Sequence, residues 1–220
     1  MPARPLRPVP PRTAAPDLPA RLASVTTLER RSDVTQSRIE SLSGDVDAAH
    51  SRLVECEIAV APLERLDLTG ATLIDVELED VRATTLAAVS GTWRSVRLTG
   101  GRIGTLDLSR AQLDAVEIRG ARIDYLSLGQ ATAADILIAD CVLSTLDMPA
   151  ARLDRVRFEG CRVDDVDTRE LRATDLDLRG LEALGFTDLR ALRGATLAPH
   201  QVSALAESLA AALEIGRAHV

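Results

Sequence analysis

The chain has no lysine: all 26 of its basic residues are arginine, and 33 acidic residues outnumber them for a formal net charge of −7. A body with that balance is not drawn to duplex DNA, so direct DNA binding is excluded for it. Three cysteines, Cys56, Cys141 and Cys161, make no secreted disulfide framework and no CxxC metal pattern. Histidine is equally scarce, with His50, His200 and His219 only, and no HExxH, GxSxG or phosphate-cradling loop accompanies them. Acidic residues alone make no general acid/base pair without a pocket and unequal environments. No catalytic, cofactor-binding or metal-ligating residue is assigned, and the chain is read as a non-enzyme. No stretch reaches the roughly twenty apolar residues of a membrane span, and no apolar segment follows the early arginines as in a secretory signal. The expectation is a soluble, cytoplasmic protein with no membrane contact.

What is present is a period of five. Leu98, Ile103, Leu108, Leu113, Ile118, Ile123 and Leu128 are spaced by five, and the series continues through Ile138, Leu143, Met148, Leu153, Phe158 and Val163. Two positions before each stands a second apolar or small residue, such as Leu106, Ala111, Val116, Ala121 and Leu126. A five-residue step scatters side chains around an α-helix, which excludes a helix. A long flat strand fails as well, because five is odd and the strand period is two. The chain must therefore turn in every repeat, and the Asp, Gly, Ser, Thr and Arg between the apolar pairs suit corners. The result is a solenoid lined by the two apolar positions. The first of them alternates small and large, so opposite walls should be alike and adjacent walls different.

Ala111-Gln112-Leu113-Asp114-Ala115 and Ala151-Arg152-Leu153-Asp154-Arg155 resemble the unit of the pentapeptide-repeat family: small, polar, Leu or Phe, then two polar residues. The resemblance implies an all-β solenoid, a right-handed quadrilateral β-helix with four repeats and twenty residues per coil. It runs from about Val46 to Gly185, which gives about seven coils and, at about 4.8 Å per coil, a height of about 34 Å.

Around that body the chain divides into a mobile Pro/Ala/Arg-rich arm over residues 1–26 and an N-terminal entry or capping segment over 27–45. In the latter, Leu28, Val34, Ile39 and Leu42 keep an imperfect register. Residues 186–198 form an exit segment, 199–216 a C-terminal α-helix, and 217–220 a mobile tail. Pro199 suits the first helical position, and the helix is expected to reach about Ile215 before Gly216. Val202, Leu205, Leu209 and Leu213 give it an apolar stripe. The stripe either caps the last coil or, as the family resemblance implies, pairs with a second copy to form a homodimer.

Trp93 at a large inward position, with Ala83, Ala88 and Gly91 nearby, reads as core packing, and Phe158 likewise. Tyr125 faces out at a corner. Cys141 and Cys161, twenty residues apart, are expected as free thiols in adjacent coils. Gly100, Gly120, Gly160 and Gly180 share a corner row with Asp140, where left-handed or otherwise tight backbone geometry is expected.

On a twenty-residue winding, one side receives Asp67, Asp107, Asp147, Asp167 and Glu170, with Arg110 and Arg169 as the cationic exceptions. The opposite side carries Glu57, Glu77, Glu79, Asp80, Glu117, Asp140, Glu159 and Asp177, offset by Arg97, Arg119, Arg157 and Arg179. A third stacks Arg82, Arg102 and Arg122. The first side is the candidate protein-binding face. The chain is thus read as a non-catalytic protein-interaction module with an unidentified protein partner. The resemblance adds a more specific alternative: an acidic DNA mimic that binds DNA gyrase, inhibiting it or protecting it from antibiotics.

Overall fold

A computed structural model describes residues 7–59 and 62–216; the expected tail at 217–220 and the first six residues of the arm lie outside it. Two parallel sheets, one of ten strands and one of eight among the described residues, run the length of the body. Eight-residue segments such as Thr92–Thr99, Gln112–Arg119 and Thr132–Ala139 stack in the first sheet. Six-residue segments such as Arg102–Asp107, Arg122–Ser127 and Val142–Asp147 stack in the second. Partners are offset by twenty residues, as in Val96↔Val116↔Ile136 and Leu86↔Leu106↔Leu126.

Each eight-residue segment is bent in its middle by a residue with positive φ, such as Asp75, Ser95, Ala115 or Asp135. That bend lets both Leu113 and Ile118 point inward although five residues separate them. Two further corner rows are left-handed. One runs through His50, Gly70, Ser90, Arg110, Gln130, Ala150 and Glu170, the other through Asp80, Gly100, Gly120, Asp140 and Gly160. No positive φ occurs in the fourth row, which contains Thr85, Thr105, Tyr125 and Thr145. The fold is a quadrilateral β-solenoid.

Leu108, Leu113, Ile118 and Ile123 are 1%, 4%, 2% and 0% exposed. Two wide walls are lined by Leu66, Leu86, Leu106, Leu126 and Leu146 on one side and by Val76, Val96, Val116, Ile136 and Val156 on the other. Small residues, Ala71, Gly91, Ala111 and Ala131, then Gly101, Ala121, Cys141 and Cys161, line the remaining two, so the expected alternation is present. Gly101 is required: its φ is 88°, and a Cβ there would lie 2.2 Å from the Val81 carbonyl oxygen. Trp93 is fully buried with its Nε1 unpartnered. A Cβ on Gly91 would crowd the carbonyl oxygens of Ala88 at 3.0 Å and Ala71 at 3.2 Å, and would only touch that nitrogen at 3.6 Å. All three cysteines are buried free thiols, and hydrogen bonding to Cys161 with burial raises the pKa of Cys141.

In the glycine corner row Gly180 is tight without being left-handed: a Cβ there would meet the Phe158 carbonyl oxygen at 2.5 Å. Two expectations change. Strand pairing begins well before residue 46, with Ala23–Val25 on Ser37–Ile39 and Asp33–Thr35 on Arg52–Val54. The latter offset is nineteen residues and returns to twenty at a register shift between Gly44 and Asp45. One missing residue thus explains the imperfect register of Val34 and Ile39, both of which pack on the core. The arm is placed as well: from residue 7 onward it lies along the body, held by hydrogen bonds from Val9, Arg12 and Asp17.

The helix α1, Pro199–Ala212, stops three residues short of Ile215, and Glu214 turns the chain with φ 58°. The Gln201 amide pins its first turn, donating to the carbonyls of Leu178 (2.8 Å) and Leu181 (2.7 Å) while accepting from the Ala198 N–H. The core itself is closed by Leu192, with Phe186, Leu189, Ala191, Ala195 and Leu197 packed beside it; α1 has no buried residue.

Candidate protein-binding surface

The acids of the first side fall in strand register. Asp47 pairs with Asp67, Asp67 with Ala87, Ala87 with Asp107, Asp107 with Ser127, Ser127 with Asp147, and Asp147 with Asp167. Asp47 belongs to this row and was legible from the same twenty-residue count. Glu170 does not belong to it; it occupies the neighbouring left-handed corner, beside a shallow groove of about 490 Å³ lined by Arg110, Gln130, Ala150 and Arg169.

Each of these aspartates precedes a corner, and that position governs what its carboxylate does. Oδ1 of Asp67, Asp107 and Asp167 accepts the N–H two residues on, from Thr69 (2.9 Å), Ser109 (2.9 Å) and Arg169 (3.0 Å). The short side chain thereby satisfies a turn amide. Asp147 cannot do so, because Pro149 has no N–H. Its Oδ2 instead accepts the Tyr125 hydroxyl at 2.5 Å. That bond, with partial burial and the carboxylate charge, pushes the tyrosine pKa up to about 12.

The ends of the row are partly neutralised. Arg65 lies 3.1 Å from Asp67, and Arg169 grips both oxygens of Asp167. The hydrogen bond from Arg169 lowers the pKa of Asp167 against the opposing effect of burial. At Asp67, burial opposes ionisation most strongly but is outweighed by hydrogen bonds from Thr69 and Arg65. At the centre, Asp107 and Asp147, with Tyr125 between the two coils, make no ion pair within 4 Å among the described residues.

The opposite side is an ion-pair ladder. Glu117, with its side chain 6% exposed, bridges Arg97 (3.0 Å) and Arg119, and Asp177 bridges Arg157 (3.7 Å) and Arg179 (2.6 Å). Such pairs tie adjacent coils and cancel charge, so this side is the poorer anionic surface. Arg82, Arg102 and Arg122 stack in register on a different wall.

On α1, the four stripe residues do not share one environment. Leu205 lines an apolar groove of about 460 Å³ with Leu181, Leu184 and Phe186, and Leu209 and Leu213 line another with Leu189 and Leu197. Val202 is 45% and Leu213 64% exposed. Among the described residues no cluster of His, Cys, Asp and Glu is disposed to hold a metal ion, and no helix is long and apolar enough to cross a membrane.

No protein-family model and no curated protein matches the chain. Among solved structures it is similar to a trypsin-treated variant of QnrB1, described as a plasmid-mediated fluoroquinolone resistance protein. The match has 15% identity, covers 84% of this chain and 96% of that one, and has a TM-score of 0.28. The solenoid is consistent with the pentapeptide-repeat fold. That assignment rests on the twenty-residue register and four corners described above.

Proposed function

We propose that this protein is a non-catalytic binding module whose acidic wall docks into a basic groove of a protein partner in the cytoplasm. The observation that carries this reading is the in-register row Asp67, Asp107, Asp147 and Asp167, held on stacked strands with each carboxylate oriented by a local hydrogen bond. Fixed carboxylates lose little freedom on binding, and a charge pattern of this kind steers encounter with a basic surface. Grooves built for DNA have that character. The resemblance to pentapeptide-repeat proteins makes DNA gyrase the first partner to test, with inhibition or protection from antibiotics as the consequence.

The test is gyrase binding, supercoiling and drug-induced cleavage with wild type and with an Asp107→Asn, Asp147→Asn, Asp167→Asn chain. Wild type is expected to bind, and the triple variant to bind at least tenfold more weakly with a shallower salt dependence. No effect of wild type on any of the three readouts rejects gyrase; unchanged binding by the folded variant rejects this wall.

The half-open stripe on α1 supports a homodimer as the second part of the proposal, with Val202, Leu205, Leu209 and Leu213 as contacts. A self-complementary apolar surface buries itself in both copies of a two-fold pair.

A further inference from the structure

Between the two walls of the ten-stranded sheet runs a corner that carries Asp75, Asp135 and Asp175, all left-handed, with φ 52°, 57° and 51°. Their carboxylates hold a peptide, the chain's own arm. The Val9 N–H donates to Asp175 Oδ1 at 3.1 Å, the Arg12 N–H to Asp135 Oδ1 at 2.9 Å, and the Asp17 N–H to Asp75 Oδ1 at 3.2 Å. Asp135 is 8% exposed under Arg12 and the Arg155 guanidinium, which lies 2.7 Å away.

The geometry has a simple origin. Two coils separate Asp175 from Asp135, a rise of about 9.6 Å. Val9 and Arg12 are three residues apart, one polyproline II turn, which rises about 9.3 Å. Three coils separate Asp135 from Asp75, about 14.4 Å, and the five residues from Arg12 to Asp17 span about 15.5 Å. Along the arm Pro8, Pro11, Thr13, Pro16, Leu18, Pro19 and Leu22 are half-buried against the body, while Val9, Pro10, Arg12, Ala14, Ala15 and Asp17 face outward. A polyproline II strand has no internal hydrogen bonds, so the N–H groups of Val9, Arg12 and Asp17 are free for an outside acceptor.

We propose that this corner is a docking track for extended, proline-rich, arginine-bearing segments of a protein partner, and that residues 8–19 are its resident, displaceable occupant. Recognition rests on the match between the solenoid pitch and the polyproline II pitch. Carboxylates take the free N–H groups, and the acids favour an arginine-bearing strand. The site is independent of the acidic wall proposed above.

The test uses the full chain with Pro8→Gly, Pro11→Gly, Pro16→Gly and Pro19→Gly, which loosens the resident arm. A fluorescein-labelled peptide with the sequence of residues 7–19 is titrated by anisotropy. It is expected to bind this chain saturably, and at least tenfold more tightly than it binds wild type, where the tethered arm competes at an effective concentration on the order of millimolar. Adding Asp75→Gly, Asp135→Gly and Asp175→Gly is expected to weaken binding at least tenfold; glycine accepts the left-handed backbone while removing the acceptor. Adding Asp107→Asn instead should leave it unchanged. Trp93 fluorescence checks folding of each variant. No saturable binding to the loosened chain, or equal binding after removal of the three corner carboxylates, overturns the proposal.

Discussion

Pro149 redistributes charge on a whole wall by lacking one hydrogen. Without an N–H at that corner, Asp147 is released from the turn and takes the Tyr125 hydroxyl. Tyr125 is the single tyrosine of the chain, so its titration is directly readable by ultraviolet absorbance. Its midpoint is expected at about 12, and Asp147→Asn should bring it down toward about 10. Because the folded value lies above the unfolded one, the stability this pair contributes is complete below about pH 10 and is lost as pH rises toward 12. Asp167 works in the other direction: its lowered pKa contributes stability above the ordinary carboxylate range, which is lost as pH falls through the folded value. In the core, Leu113→Ala should cost about 2 to 5 kcal/mol, because the tightly stacked coils above and below cannot collapse into the cavity. Reversible denaturation measures it, and a loss below about 1 kcal/mol would contradict the burial of Leu113.

At the scale of the element, α1 is tied to the body at both ends, by Gln201 in its first turn and by Arg190, which donates to the Ala212 carbonyl and pairs with Glu214. Gln201 makes two hydrogen bonds to the last coil, and the apolar side chains that follow are only half covered. Gln201→Ala should therefore loosen the helix selectively, at a cost of about 1 to 3 kcal/mol for the carbonyls left without a partner. Hydrogen exchange should rise across 199–212 and stay unchanged in the strands near residue 113; a uniform rise would mean that α1 is part of the cooperative core. The dimer proposal is tested separately by sedimentation equilibrium. Wild type should show a concentration-dependent dimer, and Leu205→Glu with Leu209→Glu a monomer. A wild-type chain that stays monomeric at high concentration ends that proposal.

Across the whole molecule, charge is sorted by wall. One face is closed into ion-pair ladders through Glu117 and Asp177, one stacks arginines, and one carries at its centre Asp107 and Asp147, which make no ion pair among the described residues. Binding through that centre should weaken with salt, because exposed charges are screened beyond about 8 to 10 Å at physiological ionic strength. The gyrase comparison with the triple aspartate variant reads this directly. The arm adds a second site on a separate corner, so loosening it should not alter binding at the acidic wall.

The five-residue period by itself determined the turn in every pentad, the inward columns and even the alternation of small and large walls, because side-chain direction in a solenoid follows local spacing. It also placed Asp67, Asp107, Asp147 and Asp167 on one side, since a twenty-residue coil is simple counting. Tertiary structure decided the rest, and the reason is separation along the chain. Val9 meets Asp175 across 166 residues and Arg12 meets Asp135 across 123, contacts that no local pattern encodes; composition alone made this segment look like a loose arm. Whether a carboxylate is free, capped or ion-paired depends equally on what the adjacent coil presents to it. Asp147 and Asp167 differ first through the residue two positions on, Pro149 or Arg169, but that the freed Asp147 carboxylate meets the Tyr125 hydroxyl is decided by the adjacent coil.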